Sequence, residues 1–158
     1  MKSTNQLFIL IAVITLLFGS NAYSQNVKIV TLNVNTATVN KDNLATTCNF
    51  GQTDGSSNED FTITVDVGDI IIWQGVSSVN NSTDYVDIKY VKYVKGPNIF
   101  DRGQINGNGN KREKVVATAR REATKGNEYK YKIKFTVYDS DGNKKGEYHI
   151  DPKIQVNK

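Results

Sequence analysis

Cys48 and His149 are the single cysteine and single histidine of this 158-residue chain, and they bound the chemistry open to it. One thiol and one imidazole cannot build a multi-His, multi-Cys or Cys/His zinc site. The only methionine is Met1, so a Met-containing copper site within one mature chain is excluded as well. A Cys/His catalytic pair needs a thiol whose pKa is lowered by a helix N-terminus or an adjacent cation. The run Thr46-Thr47-Cys48-Asn49-Phe50 supplies no adjacent cation. The expectation is therefore a structural thiol and a strand imidazole in a protein that is not an enzyme and has no catalytic, cofactor or metal residues. With no partner cysteine for an intramolecular disulfide, Cys48 is expected to be buried, and self-association through it is the alternative.

Two acidic loops invite a calcium reading, because Ca²⁺ requires clustered oxygen ligands. In Asp139-x-Asp141-Gly142-Asn143 the glycine stands fourth, where a helix-flanked calcium loop has it sixth. Asp, Gly and Asn are also the residues that tight turns demand. The expectation is a hairpin turn there, and an ordinary loop from Asp54 to Asp60.

Binding is better represented than catalysis. Eight tyrosines and one tryptophan fall mostly in strand-like segments, several beside lysines. Tyr85, Tyr90, Tyr93, Lys130, Lys132 and Lys134 form the expected binding surface, where rings stack on sugars or on a partner and ammonium groups meet an acidic polymer. The expected partner is a protein or a glycan. A net charge of +4 with no concentrated basic stripe in the sequence gives no case for nucleic acid.

The elements that must position these residues read almost entirely as strand and turn. Tyr129 to Val137 alternates over nine residues, with Tyr129, Tyr131, Ile133, Phe135 and Val137 on one face and Lys130, Lys132, Lys134 and Thr136 on the other. A turn and a return strand from Glu147 to Ile150 complete a hairpin. Further strands are expected at Val27–Val34, Phe61–Val67, Ile70–Gln74, Tyr85–Val94, Lys114–Ala119 and Ile154–Val156. Ile70–Gln74 is apolar on both sides and is expected to be buried on both. Asn49–Asp60, Ser77–Thr83 and Gly103–Asn110 read as loops. This pattern predicts an all-β chain, a single antiparallel β-sandwich with Greek-key connections, cupredoxin-like or immunoglobulin-like, over residues 25–158.

Residues 1–24 have the form of a signal peptide. Lys2 is followed by an apolar run from Leu7 to Phe18 and by small residues up to Ser24. No cysteine follows that run for a lipid anchor. The expectation is a secreted or periplasmic protein with no membrane attachment after cleavage.

The segment Val65-Asp66-Val67-Gly68-Asp69-Ile70-Ile71-Ile72-Trp73 resembles a strand pair of the cupredoxins, small exported copper-binding β-sandwiches. Gly146-Glu147-Tyr148-His149-Ile150 is similar to the strand that leads those proteins to their copper loop. The resemblance covers about 30 residues and implies the architecture. Where that family carries its copper-ligating cysteine this chain has Pro152; no histidine stands just after Trp73, where the family's first histidine ligand tends to occur, and no histidine or methionine follows Pro152. Two readings result: an exported non-catalytic binding or interaction module, and a copper-handling cupredoxin relative as the alternative.

Overall fold

The structure, a computed structural model, describes residues 25–157, and the expected signal peptide lies outside the described residues. The described chain runs β1 (Val27–Val34), α1 (Leu44–Thr47), β2 (Cys48–Asn49), β3 (Thr62–Asp66), β4 (Ile70–Ser77), β5 (Tyr85–Lys95), β6 (Gln104–Asn106), β7 (Val115–Thr118), β8 (Tyr129–Tyr138), β9 (Lys144–Ile150) and β10 (Lys153–Asn157). The helix is a single turn, so the fold is all-β.

Four strands form one sheet in the order β2-β1-β4-β7. Six form the other, in the order β3-β10-β8-β5-β6 with β9 also paired to β8. The expectation of a purely antiparallel arrangement is corrected here. β1 runs parallel to β4 from Val27 opposite Ile70 to Val34 opposite Ser77, and β3 runs parallel to β10. Parallel neighbours cannot be joined by a tight hairpin, so the chain must cross between sheets. The Gly68-Asp69 turn makes one such crossing, from β3 in the larger sheet to β4 in the smaller. Gly68 takes a φ of +101°, which its lack of a Cβ permits. The buried Asp69 carboxylate accepts from the backbone N–H of Asp66 and of Asn26, each at 3.0 Å, tying the entry of β1 to the turn. Those backbone donors hold its pKa below the ordinary carboxylate value.

β9 and β10 behave as one long strand along β8. Ile150 faces Ile133 and Ile154 faces Tyr129, so the register is continuous across Asp151-Pro152. Proline has no N–H to give the ladder, but the Pro152 carbonyl still accepts from Tyr131 N at 3.1 Å. The residue standing where the cupredoxin resemblance places a copper ligand thus has a backbone role in the sheet.

The two sheets share one core, in a sandwich-like arrangement. Val30, Leu32, Val34, Ile71, Trp73 and Val115 of the smaller sheet pack with Val86, Ile88, Val91, Tyr129, Tyr131, Ile133, Phe135 and Val137 of the larger. Trp73 and Tyr131 are fully buried and meet between the sheets, with Trp73 Nε1 donating to the Tyr131 hydroxyl at 3.1 Å. Phe100 lies edge-on to both Trp73 and Tyr129, and Tyr129 stacks beside Tyr131, in the offset and T-shaped contacts that ring quadrupoles favour. Gly75 allows the sheets their close approach, because a Cβ there would run into Val86.

The Trp73–Tyr131 bond gives a direct test of this core. Tyr131→Phe removes one hydroxyl and leaves the indole N–H buried without a partner, at a cost of about 1–3 kcal/mol. Urea unfolding should show that loss; a variant as stable as the parent would contradict the described packing.

Candidate functional site

Residues paired across a sheet share a face, so the register of β5, β8, β9 and β10 sorts the predicted surface residues. On the outer face of the larger sheet, Tyr90, Lys134 and His149 form one row. The next row places Gln104, Lys92 and Lys132 side by side across β6, β5 and β8. A third carries Lys95, Lys130 and Lys153 across β5, β8 and β10. Six lysines that are dispersed along the sequence are gathered on this face.

Like charges directly opposite each other destabilise a sheet. Here Lys92 faces Lys132, and Lys130 has a lysine on each side. Acids from the preceding loop answer part of the third row: Lys153 Nζ lies 3.0 Å from Asp60 and Lys130 Nζ lies 3.8 Å from Glu59. Lys134 is held by Glu147 at 2.7 Å, and Lys144 joins the same carboxylate at 2.9 Å. These two lysines hold the Glu147 carboxyl down to about 2. Among the described residues, Lys92, Lys95 and Lys132 have no carboxylate at ion-pair distance.

His149 joins this face through its ring. Its Nε2 is 3.3 Å from the Tyr90 hydroxyl, and Lys134 Nζ sits 5.6 Å from the Tyr90 ring centre. Partial burial, then Lys132 and Lys134, depress the His149 pKa below its ordinary 6.5, against opposing pulls from Glu147 and Asp151. The imidazole is therefore neutral at pH 7 and gains its charge only in acid.

The expected tyrosine patch is not contiguous. Tyr85 is buried, stacked on Tyr138 at 5.1 Å under Lys111, at the opposite end of β5 from the paired lysines. Tyr93 turns inward against Tyr129, its hydroxyl donating to the Gly96 carbonyl at 2.7 Å. Tyr90 remains with Lys130, Lys132 and Lys134, while Lys92, Lys95, Lys153 and His149 are additions to the expected binding surface. Lys92 and Lys95 stand three apart, a spacing that reads as opposite faces of a regular strand. A register shift between Tyr93 and Lys95 restores both to one face.

Cys48 is a buried thiol. It is 3% exposed, and burial pushes its thiol up to about 11, against the Thr47 hydroxyl 4.0 Å from its sulfur. Cys48 and His149 line one cavity of about 980 Å³ beneath the 49–59 loop, with Leu44 and Ile150 among the other walls. The His149 ring nitrogen is nevertheless engaged with Tyr90. Among the described residues, no group of three His, Cys, Asp or Glu side chains could hold a metal ion.

Asp139 and Asp54 hold their own turns, and Asp60 divides its carboxylate between its turn and Lys153. Asp139 accepts from the backbone N–H groups of Asp141 and Asn143 and from the Asn143 side chain, at 2.8–3.0 Å. Asp54 accepts from Ser56 N at 3.0 Å, and Asp60 from the Ser57 hydroxyl at 2.8 Å.

Comparison with known proteins bears on the fold. No family model matches the sequence, and no curated protein matches it. A crystal structure of the inclusion body protein PixA from Burkholderia cenocepacia is similar over 87% of this chain and 99% of that one, with a TM-score of 0.61 at 12% identity. That likeness supports the β-rich fold. The bradyzoite-specific antigen BSR4 of Toxoplasma gondii covers 69% of this chain and 47% of that one at 13% identity, with a TM-score of 0.32, too low to carry an argument.

A buried thiol with a raised pKa should react slowly. Labelling of Cys48 by a thiol reagent at neutral pH is expected to be more than about tenfold slower in the native protein than in denaturant. Equal rates would contradict the environment described.

Proposed function

We propose that this chain is an exported, non-catalytic β-sandwich that binds an anionic glycan on the outer face of its larger sheet. The observation that carries the reading is the pairing of Lys92 with Lys132, next to the Lys95, Lys130 and Lys153 row, with three of these ammonium groups unanswered by acids among the described residues. A sheet selected for stability alone would alternate signs at such positions. An anionic polymer lying across β5 and β8 relieves the repulsion and meets charge on strands about 4.8 Å apart. Tyr90, bordered by His149 and Lys134, offers a ring at the end of the lysine rows on which a sugar can stack.

Export is supported by the composition of residues 1–24, and the non-catalytic reading by the protonated, buried Cys48. The single-sandwich reading is supported by the core common to both sheets.

Dextran sulfate, with neutral dextran as control, tests the proposal. Its sulfates stay ionised across the pH range used, so pH dependence reports on the protein. Binding should weaken as salt rises, as exposed ion contacts do. Each exposed contact is worth up to about 1 kcal/mol, so the Lys92→Ala, Lys95→Ala, Lys132→Ala triple variant should bind roughly one to two orders of magnitude more weakly. Affinity should increase as pH falls below 6.5, where His149 gains its charge, and His149→Gln should remove that increase. Equal binding of neutral dextran, or full affinity in the triple variant, would sink the proposal. Tighter binding of duplex DNA or of an acidic protein than of the sulfated glycan would assign the face to another partner.

A further inference from the structure

The two sheets end side by side at one edge of the sandwich. β6 is the last strand of the larger sheet and β7 of the smaller, and the two lie in contact. A cavity of about 220 Å³ is lined by residues of both strands and of the segments flanking them. Phe100, Ile105, Val116 and Ala117 give it apolar walls, and Arg102 and Arg120 bring charge to it. Among the described residues, neither arginine has a carboxylate at ion-pair distance. The acids nearest in sequence, Asp101 and Glu122, do not line the cavity, and Asp101 is taken by Arg121 at 2.6 Å.

The segments that carry the two arginines are fixed to each other and to the core. Arg120 N donates to the Ile99 carbonyl at 2.8 Å, and the Asp101–Arg121 ion pair joins the same two segments. Ala119 is bound to the turn between β3 and β4, its N–H donating to the Asp69 carbonyl at 2.9 Å and its carbonyl accepting from Gly68 N at 2.8 Å. Phe100 is held edge-on against both Trp73 and Tyr129. Walls positioned in this way lose little freedom when a ligand enters.

We propose that this cavity binds a small organic oxyanion, a carboxylate or phosphate carried on a single apolar ring. Charge selects the acid group, because two guanidinium groups meet there with no carboxylate lining the same space. The planar fork of a guanidinium matches the paired oxygens of either acid. Volume and walls select the body of the ligand. An apolar cavity of about 150 Å³ holds benzene, so this one has room for one ring together with its acid group. Apolar walls with a few converging polar groups are the usual composition of a small-molecule site. None of the lysines of the outer face lines the cavity, and the site does not rest on the glycan reading.

NMR titration of the isotopically labelled protein with benzoate and with phenyl phosphate tests this, with benzamide as the control for charge and acetate as the control for the ring. At least one of the two ring anions should shift the amides of residues 99–105 and 115–120, and it should bind more tightly than either control. Arg102→Gln and Arg120→Gln change exposed side chains, so the double variant should keep the parental thermal midpoint while binding that anion at least about tenfold more weakly. The triple lysine variant should bind it as the parent does. No shift at these residues with either anion, a control bound as tightly, or full affinity in the double arginine variant would overturn the proposal. Shifts that fall on β5 and β8 instead, and vanish in the triple lysine variant, would assign the anion to the lysine rows and overturn it equally.

Discussion

The hydrogen bond from Trp73 to Tyr131 is the point on which the two sheets meet, and it imposes the orientation of β8. Tyr131 can reach the indole only if every second residue of β8 points inward. That same phase buries Tyr129, Ile133, Phe135 and Val137 and turns Lys130, Lys132 and Lys134 outward. A slip of one residue would bury three ammonium groups and expose the aromatic core. Core and charged face are therefore two sides of one register. The long partner formed by β9, Pro152 and β10 holds that register along the whole edge of β8.

With the interior settled this way, the two outer surfaces diverge. One gathers lysines at positions where a sheet would gain from opposite signs, and the other has no charge in the rows crossing β1, β4 and β7. Both features run against what stability or solubility alone would favour. The proposed anionic ligand accounts for the first.

Much of this architecture is legible in the residues. The alternation of β8 is visible because neither of its faces is interrupted, and Val27–Val34 is a β-branched run whose bounds match the observed strand. Gln104–Asn106 reads as loop, since Gly, Asn and Gln carry no strand signal and only pairing with β5 draws the segment into the sheet. The two parallel pairs are equally hidden, because hydrophobic period does not encode which neighbour a strand selects. The lysine rows are half legible: Lys130, Lys132 and Lys134 follow from period two, whereas Lys92 and Lys95 reach the same face only through the irregularity in β5. Tyr85 and Tyr93 mislead for a related reason, as a tyrosine in a strand has the same identity whether it stacks inside or faces solvent.

The central claim is that the lysine rows are a ligand-binding surface, and mapping by NMR addresses it most directly. Titration of the isotopically labelled protein with a sulfated oligosaccharide should shift the amides of β5, β8 and β9 around Lys92, Lys132 and His149, leaving those of β1, β4 and β7 in place. Shifts confined to the smaller sheet or to the cavity beside Cys48, or none at saturating ligand, would contradict the account.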